Sequence, residues 1–256
     1  MSNRRFHAQP NCCPSCGPRI FITDNSGNDI TQEILWEEKI NSWEYNKKLI
    51  NFFGKKIKEG SIFAIKSLSG FHLCCTPYSE NTVMELRKRK VRKSKPFALM
   101  MRDIQTIENF CYVNESEKQL LLSKERPIVI LKKKQNNSLP NIVAPNNNYL
   151  GVMLPSTPLQ ILIFQTTDID SLIMTSGNLS GLPLEFENKK AIDNLRQFCD
   201  FFLMNDRDIF LPLDDSIIKC TTYDNMIIRR SRGYAPLPLL YKDSKEILAV
   251  GGDMKN

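Results

Sequence analysis

The sequence predicts an α/β domain built on a twisted, largely mixed sheet. Short apolar runs alternate along the chain with segments of helical period. Of its 256 residues, 41% are hydrophobic, enough to bury one large core or two modest ones, and a charged fraction of 25% argues against wholesale disorder.

The first helical pattern covers residues 32–58, where Ile34, Leu35, Ile40, Trp43, Leu49, Phe52, Phe53 and Ile57 recur at helical spacing. It reads as one long helix or a broken one, with Gly60 placed to end it as a C′ glycine. Residues 61–66 form a buried strand and 67–70 the turn after it. Ser79 caps a helix that runs through Val83, Met84 and Leu86 into a basic segment, with Pro96 as its stop. Residues 97–101 and 127–131 are short apolar strands. A helix at 157–164, a strand at 171–174, a helix at 191–198 and a strand at 201–204 follow. Residues 217–220 and 226–229 make a late strand pair around Asp224-Asn225. Residues 136–148, rich in asparagine and proline, predict a mobile surface loop, and there is no internal repeat.

Nothing apolar follows Met1-Ser2-Asn3-Arg4-Arg5, and no apolar run is long enough to cross a bilayer, which predicts a cytoplasmic chain without membrane contact. Eight cysteines without a secretory signal read as metal ligands or reduced core thiols. Cys13 and Cys16 form a CxxC turn that supplies two of the four ligands a structural zinc requires. No second CxxC follows, and Cys74, Cys75, Cys111, Cys199 and Cys220 fit no ligand spacing. The chain therefore reads as a piece of a longer one. His72 reads as a strand histidine held by a local hydrogen bond.

The net charge of +7 has one source. Arg87, Lys88, Arg89, Lys90, Arg92, Lys93 and Lys95 hold seven cations, leaving 35 − 7 = 28 basic against 28 acidic residues elsewhere. Such a run can be a solvated helix end or a phosphate-tracking surface, including a double-stranded RNA surface.

Three segments sit where strands end and loops diverge, the usual place for a ligand on an open sheet. Lys66 opens Lys66-Ser67-Leu68-Ser69-Gly70. Lys90-Val91-Arg92, with Lys95, lies between a helix and a strand. Thr175-Ser176-Gly177-Asn178 follows the strand ending at Met174. Each has a bland reading as a turn or a solvated lysine. Together they offer a lysine, a bidentate arginine and small hydroxyl and amide donors, the set that phosphate recognition needs. There is no Walker loop and no GxGxxG after a strand.

An ordered series of blocks resembles the HypF-type carbamoyltransferases, maturation factors of nickel-iron hydrogenases. These are Phe6-His7-Ala8-Gln9-Pro10 with Cys13 and Cys16, Gly70-Phe71-His72-Leu73, Arg89-Lys90-Val91-Arg92 with Lys95-Pro96-Phe97-Ala98, Gly151-Val152-Met153-Leu154-Pro155, Met174-Thr175-Ser176-Gly177-Asn178, Asp214-Asp215-Ser216 and Arg229-Arg230-Ser231-Arg232-Gly233-Tyr234-Ala235-Pro236. The resemblance implies a YrdC-like open mixed sheet with flanking helices at 19–241, the second half of a zinc-knuckle region at 1–18 and the start of a Kae1-like domain at 242–256.

It also implies a chemistry: carbamate, released from carbamoyl phosphate, attacks the α-phosphate of ATP, giving carbamoyl adenylate. A Kae1-like domain then passes the carbamoyl group to a HypE-type acceptor. On this resemblance Lys90 and Arg92 match a KxR motif, and Ser176 and Asn178 an SxN motif, as catalytic residues. Lys66, Lys95, Thr175, Gly177, Ser216 and Arg229 line the same nucleotide cleft, magnesium accompanies ATP near Asp214 or Asp215, and Cys13 and Cys16 are zinc ligands. The chain departs from the family at Ser67 and Ser69 (usually glycine), Ser156 (tyrosine), Gln160 and Asn205 (histidine) and Pro212 (arginine). Rival readings are a stand-alone threonylcarbamoyl-adenylate synthase for tRNA modification, a basic RNA-binding module, and an inactive scaffold that binds complementing HypF fragments.

Overall fold

The computed structural model describes residues 18–35, 41–135, 137–179, 181–222 and 224–238. Cys13, Cys16 and the segment 242–256 lie outside them. Eleven strands occur among the described residues: β1 (Ile20–Asp24), β2 (Phe63–Lys66), β3 (Phe71–Cys75), β4 (Ala98–Met101), β5 (Cys111–Tyr112), β6 (Ile128–Lys133), β7 (Tyr149–Met153), β8 (Ser171–Ser176), β9 (Phe201–Asn205), β10 (Ile217–Cys220) and β11 (Asn225–Arg229). They form one sheet in the order β1-β9-β2-β3-β8-β4-β7-β6-β10-β11, with β5 on β6. Pairing is mixed as expected: β9/β2, β4/β7 and β6/β10 are parallel and the other pairs antiparallel.

Helices cover both faces. On one side α1 (Thr31–Leu35), α2 (Ser42–Lys58) and α6 (Pro158–Thr166) bury Leu49, Phe53, Ile57, Ile163 and Phe164 against Phe63, Ile65, Met100 and Met174. On the other, α3 (Glu80–Arg89), α4 (Ile104–Phe110), α5 (Glu115–Leu122) and α7 (Asn188–Leu195) bury Val83, Leu86, Ile107, Leu121 and Leu195 against Leu73, Leu99, Val129 and Ile173. Because side chains alternate along a strand, every strand between the layers must be apolar on both faces, which is why these segments read as continuous apolar runs.

Local chemistry sets the ends of these elements. Asn41, Ser79 and Asp103 cap α2, α3 and α4 through their side-chain oxygens, and Asn114 and Thr157 form capping boxes with Glu117 and Gln160. The predicted run 32–58 is broken into α1 and α2 and ends as expected: Gly60 has φ +93°, with Gly60 N–H on the Ile57 carbonyl and Ser61 N–H on that of Lys56. Helix α3 differs from expectation. Pro96 does not stop it; the helix ends at Arg89, six residues short of the position before that proline, because Val91 takes the left-handed conformation (φ 51°).

The expected mobile loop at 136–148 differs too. Its described part contains a 3-10 turn (Asn141–Val143) and buries Val143 and Ala144 in the core. Strands β1, β5 and β7 and helices α4 and α5 add to the predicted elements, and β3 is the strand on which His72 was expected. Cys74, Cys75, Cys111 and Cys199 are buried, and burial pushes all four thiols up, so they act as apolar fillers. No helix among the described residues is long and apolar enough to cross a membrane.

Candidate functional site

The helices of the α1/α2/α6 layer leave part of their face of the sheet uncovered. Strand register aligns Cys74, Met174, Ala98, Gly151 and Ile130 in one row, and His72 beside Ser176 in the next. From Ser176 to Ile130 these residues floor an open cleft of about 240 Å³, just below the roughly 300–1,000 Å³ of most ligand sites. Gly151 sets its depth: a Cβ there would come 3.0 Å from Cγ2 of Ile128 and 3.5 Å from Cδ1 of Ile130.

The walls are polar. Arg92, Lys95, Thr175, Asp214, Asp215 and Arg229 all line the cleft. Arg92 is held from three sides: Nε donates to the Lys95 carbonyl (3.0 Å), one terminal nitrogen to Thr175 Oγ1 (2.9 Å) and the other to the Pro96 carbonyl. Its guanidinium lies 4.7 Å from the centroid of the Phe97 ring. Burial, with Arg87 beside it, pulls the Arg92 guanidinium down to about 10, so it remains charged at neutral pH.

Arg87 holds the arginine loop from beneath. It stacks 4.6 Å from the same Phe97 ring and donates to the carbonyls of Ile142, Val143, Arg92 and Lys95. The loop at 142–143 and the basic loop at 92–95 are thereby tied to one side chain.

Lys90 and the Ser176/Asn178 pair meet directly. Lys90 Nζ donates to the Ser176 carbonyl (2.7 Å) and the Asn178 carbonyl (3.2 Å), and Ser176 Oγ donates to Asn178 Oδ1 (2.7 Å). Asn178 Nδ2 holds the carbonyls of Leu179 and Leu182. Gly177 lets β8 and β3 close together, since a Cβ would fall 2.8 Å from the Phe71 carbonyl oxygen.

Lys90, Gly177 and Asn178 stand behind the cleft lining, and two further predicted cleft residues, Lys66 and Ser216, sit elsewhere. The Lys66 amine turns away from the cleft lining to the backbone carbonyls of Asn205 (3.3 Å) and Arg207. Burial pulls it down to about 8 even though Asp208 and Asp206 act to raise it. Ser216 is buried, donating to the Arg232 carbonyl and accepting from Ser231 N–H. In both cases a backbone carbonyl offers the buried polar group the partner it needs.

A buried triad was missed in the sequence. His72 Nε2 lies 2.8 Å from Asp215 Oδ2, and Arg232 Nε donates to Asp215 Oδ1 at 2.8 Å. Burial alone would raise the Asp215 carboxyl, but His72 and Arg232 outweigh it and hold the group well below the usual carboxylate range. With both oxygens engaged, Asp215 does not fit the magnesium role expected of Asp214 or Asp215, whereas Asp214 also lines the cleft. Among the described residues no group of three or more His, Cys, Asp or Glu side chains could hold a metal ion.

Ser67, Ser69, Ser156 and Gln160, expected to depart from the family pattern, lie at the β2–β3 turn or are bonded to it through Gln160. Gln160 Nε2 donates to Ser67 Oγ (3.1 Å), and Gln160 Oε1 accepts from Ser156 N–H (2.9 Å). Leu213 N–H reaches the Ser69 carbonyl (3.2 Å).

The basic run is not a single exposed stripe. Arg87 is buried, Arg89 pairs with Glu85 and Asp200, and Lys90 and Arg92 turn inward, leaving Lys88, Lys93 and Lys95 exposed.

Fold and cleft together define an open α/β protein with a basic, hydroxyl-lined cleft on the uncovered part of its sheet. The chain belongs to the Sua5–YciO–YrdC family, whose model, described as "Telomere recombination", matches residues 55–231, and the HypF finger model matches residues 1–23. It is 38% identical over 258 aligned residues to the carbamoyltransferase HypF of Rhodobacter capsulatus, covering 99% of this chain and 32% of that protein. A solved structure of full-length HypF in the phosphate- and nucleotide-bound form is 40% identical, with a TM-score of 0.78, and the match covers 94% of this chain and 29% of that one. A putative threonylcarbamoyl-AMP synthase of Methanocaldococcus jannaschii is 32% identical over 142 residues, 54% of this chain and 64% of that protein. The chain spans about a third of the length of the HypF proteins it matches.

Proposed function

We propose that this chain forms carbamoyl adenylate from MgATP and carbamate, the nucleotide step of a HypF-type carbamoyltransferase. The observation that carries this reading is the meeting of Arg92, Lys95 and Arg229 with Thr175 and Ser176 over a shallow apolar floor of Met174, Ala98, Gly151 and Ile130. Cations and hydroxyls suit a polyphosphate, and a flat apolar floor suits a base. Residues 19–241 act as the nucleotide-binding domain.

A carbamate oxygen attacks the α-phosphorus, a new P–O bond forms and pyrophosphate leaves. No protein group needs to bond covalently to substrate. Arg92, Lys95 and Arg229 offset the charge that builds on the phosphate oxygens, the Thr175 hydroxyl orients them, and Ser176 joins it when its proton turns from Asn178 Oδ1 to the substrate. Lys90 and Asn178 act one step back, fixing the end of β8 that carries Ser176.

Release of carbamate from carbamoyl phosphate, and transfer to a HypE-type acceptor, belong in this reading to parts of HypF proteins that this chain does not span, on the same polypeptide or on complementing fragments. Cys13 and Cys16 supply two zinc ligands in the finger. The protein works in the cytoplasm.

The test is calorimetry with ATP and magnesium, followed by carbamate-dependent release of pyrophosphate in ammonium bicarbonate, which contains carbamate. Binding by wild type, weakened at least tenfold in Arg92→Ala, supports the reading. Pyrophosphate release that requires L-threonine instead would favour a threonylcarbamoyl-adenylate synthase. A folded wild type that binds no ATP would leave the scaffold reading, and salt-sensitive capture of RNA without ATP binding the RNA-binding one.

A further inference from the structure

His72 carries a polar atom that the described protein does not satisfy. Its ring lines the cleft and is 5% exposed, yet Nδ1 is buried and has no hydrogen-bond partner. Buried ring nitrogens are seldom left in this state, because an unmet polar atom loses its hydration for nothing in return.

The other nitrogen fixes what Nδ1 can do. Asp215, held ionised between His72 and Arg232, can only accept hydrogen bonds, so the contact at His72 Nε2 requires the proton on Nε2. In the neutral ring this leaves a lone pair at Nδ1. Around it the cleft presents the donors Arg92, Lys95 and Arg229 and the acceptor Asp214, while the Ser176 hydroxyl is already donated to Asn178 Oδ1. Donors recognise oxygens, whereas a buried lone pair such as that of His72 Nδ1 recognises an N–H or O–H. Strand register puts His72 beside Ser176, at the polar end of the cleft and away from Gly151 and Ile130.

We propose that His72 Nδ1 accepts a hydrogen bond from the –NH2 group of the carbamoyl moiety and so selects carbamate over acyl groups that lack this donor. The inference rests on the carbamoyl-adenylate reading above. It makes His72 a specificity-determining residue and Asp215 the residue that sets its tautomer.

The test uses two stable adenylate mimics that differ at one terminal group: 5′-O-(N-carbamoylsulfamoyl)adenosine ends in –NH2, and 5′-O-(N-acetylsulfamoyl)adenosine ends in –CH3. The wild-type chain is expected to bind the first roughly five- to tenfold more tightly, the worth of one neutral hydrogen bond. His72→Phe should bring the ratio to about one, whereas a purely structural role would weaken both compounds alike. If His72→Phe fails to fold, the wild-type ratio stands by itself, alongside the Nδ1 resonance in a 15N spectrum, which should move upfield with the carbamoyl compound only. Equal wild-type affinities, or a ratio that survives in a folded His72→Phe protein, would overturn the inference and leave the nucleotide reading intact. A folded wild type that binds ATP and neither mimic would also overturn it. Failure to bind ATP itself would remove the nucleotide reading and this inference with it.

Discussion

Nε2 of His72 and Oδ2 of Asp215 stand 2.8 Å apart, although β3, which carries His72, and β10, into which Asp215 leads, have four strands between them in the sheet. Asp215 lies in the connection from β9 to β10, and that connection brings its carboxylate to an interior strand of the sheet. The pair forms part of the cleft wall.

Asp215→Asn should destabilise the protein by about 3–5 kcal/mol at neutral pH, because it strands Arg232 and leaves a buried amide facing donors. The pH dependence has a definite sign. The folded-state pKa of Asp215 is depressed, so its contribution is complete above the unfolded value of about 3.9 and drains away as pH falls through the lower folded value. Urea melts of wild type and Asp215→Asn should therefore converge below about pH 4. A gap that widens on acidification would contradict this.

Val91 is a β-branched residue in the left-handed region, 79% exposed, between the two cations of the KxR motif. The conformation costs roughly 1–2 kcal/mol, and glycine removes that cost while losing somewhat less in the unfolded chain. Val91→Gly should raise Tm by about 1–3 °C. An unchanged or lowered Tm would mean that Val91 is not strained.

Gly151→Val should weaken ATP binding at least tenfold and leave the circular dichroism of the fold unchanged. The side chain would rise into the cleft floor, its Cβ 3.0 Å from the β-branch methyl Cγ2 of Ile128 and 3.5 Å from the flexible end Cδ1 of Ile130. Equal affinity in the variant would place the nucleotide elsewhere.

Arg92→Lys should weaken ATP binding by about tenfold or more despite keeping the charge. Lysine cannot reproduce the planar fork that meets Lys95, Pro96 and Thr175, nor the stacking on Phe97. Calorimetry gives the affinity, and full retention would reduce Arg92 to a diffuse positive charge.

Lys90→Ala should speed amide exchange across residues 176–185, because its amine braces two carbonyls at the end of β8. Exchange equal to wild type would mean that the SxN loop holds itself.

Elements were readable from the sequence where local chemistry spoke clearly. Ser79 is a strong cap, Gly60 supplies a positive φ, and β2, β4 and β8 are bounded apolar runs. Strand β3 (Phe71–Cys75) was signalled only through His72, because that histidine interrupts its apolar run. Strand β7 was hidden by Gly151 and the asparagines before Tyr149, and the short helices α4 and α5 by their length. The KxR and SxN segments could be named from residue types, but not the contact between Lys90 and Ser176. His72 read as a strand residue with a local bond, whereas its partner lies 143 positions away. The diversion of Lys66 to the carbonyls of Asn205 and Arg207 likewise depends on where β9 ends beside β2. Such pairings arise only when distant segments pack.

Strand β1 pairs with β9, Ile20 opposite Asn205, and β9 is also the neighbour that β2 needs on its outer side. The sheet is thus assembled out of chain order, with its first strand waiting for almost the last. As the chain leaves the ribosome, no sequential zipping of hairpins can complete this flank. It must close in one late, long-range step, which places the protein among the slow folders set by non-local pairing. During that interval β1 and β2 are exposed apolar edges, the stage at which the chain is most exposed to capture by chaperones or by copies of itself.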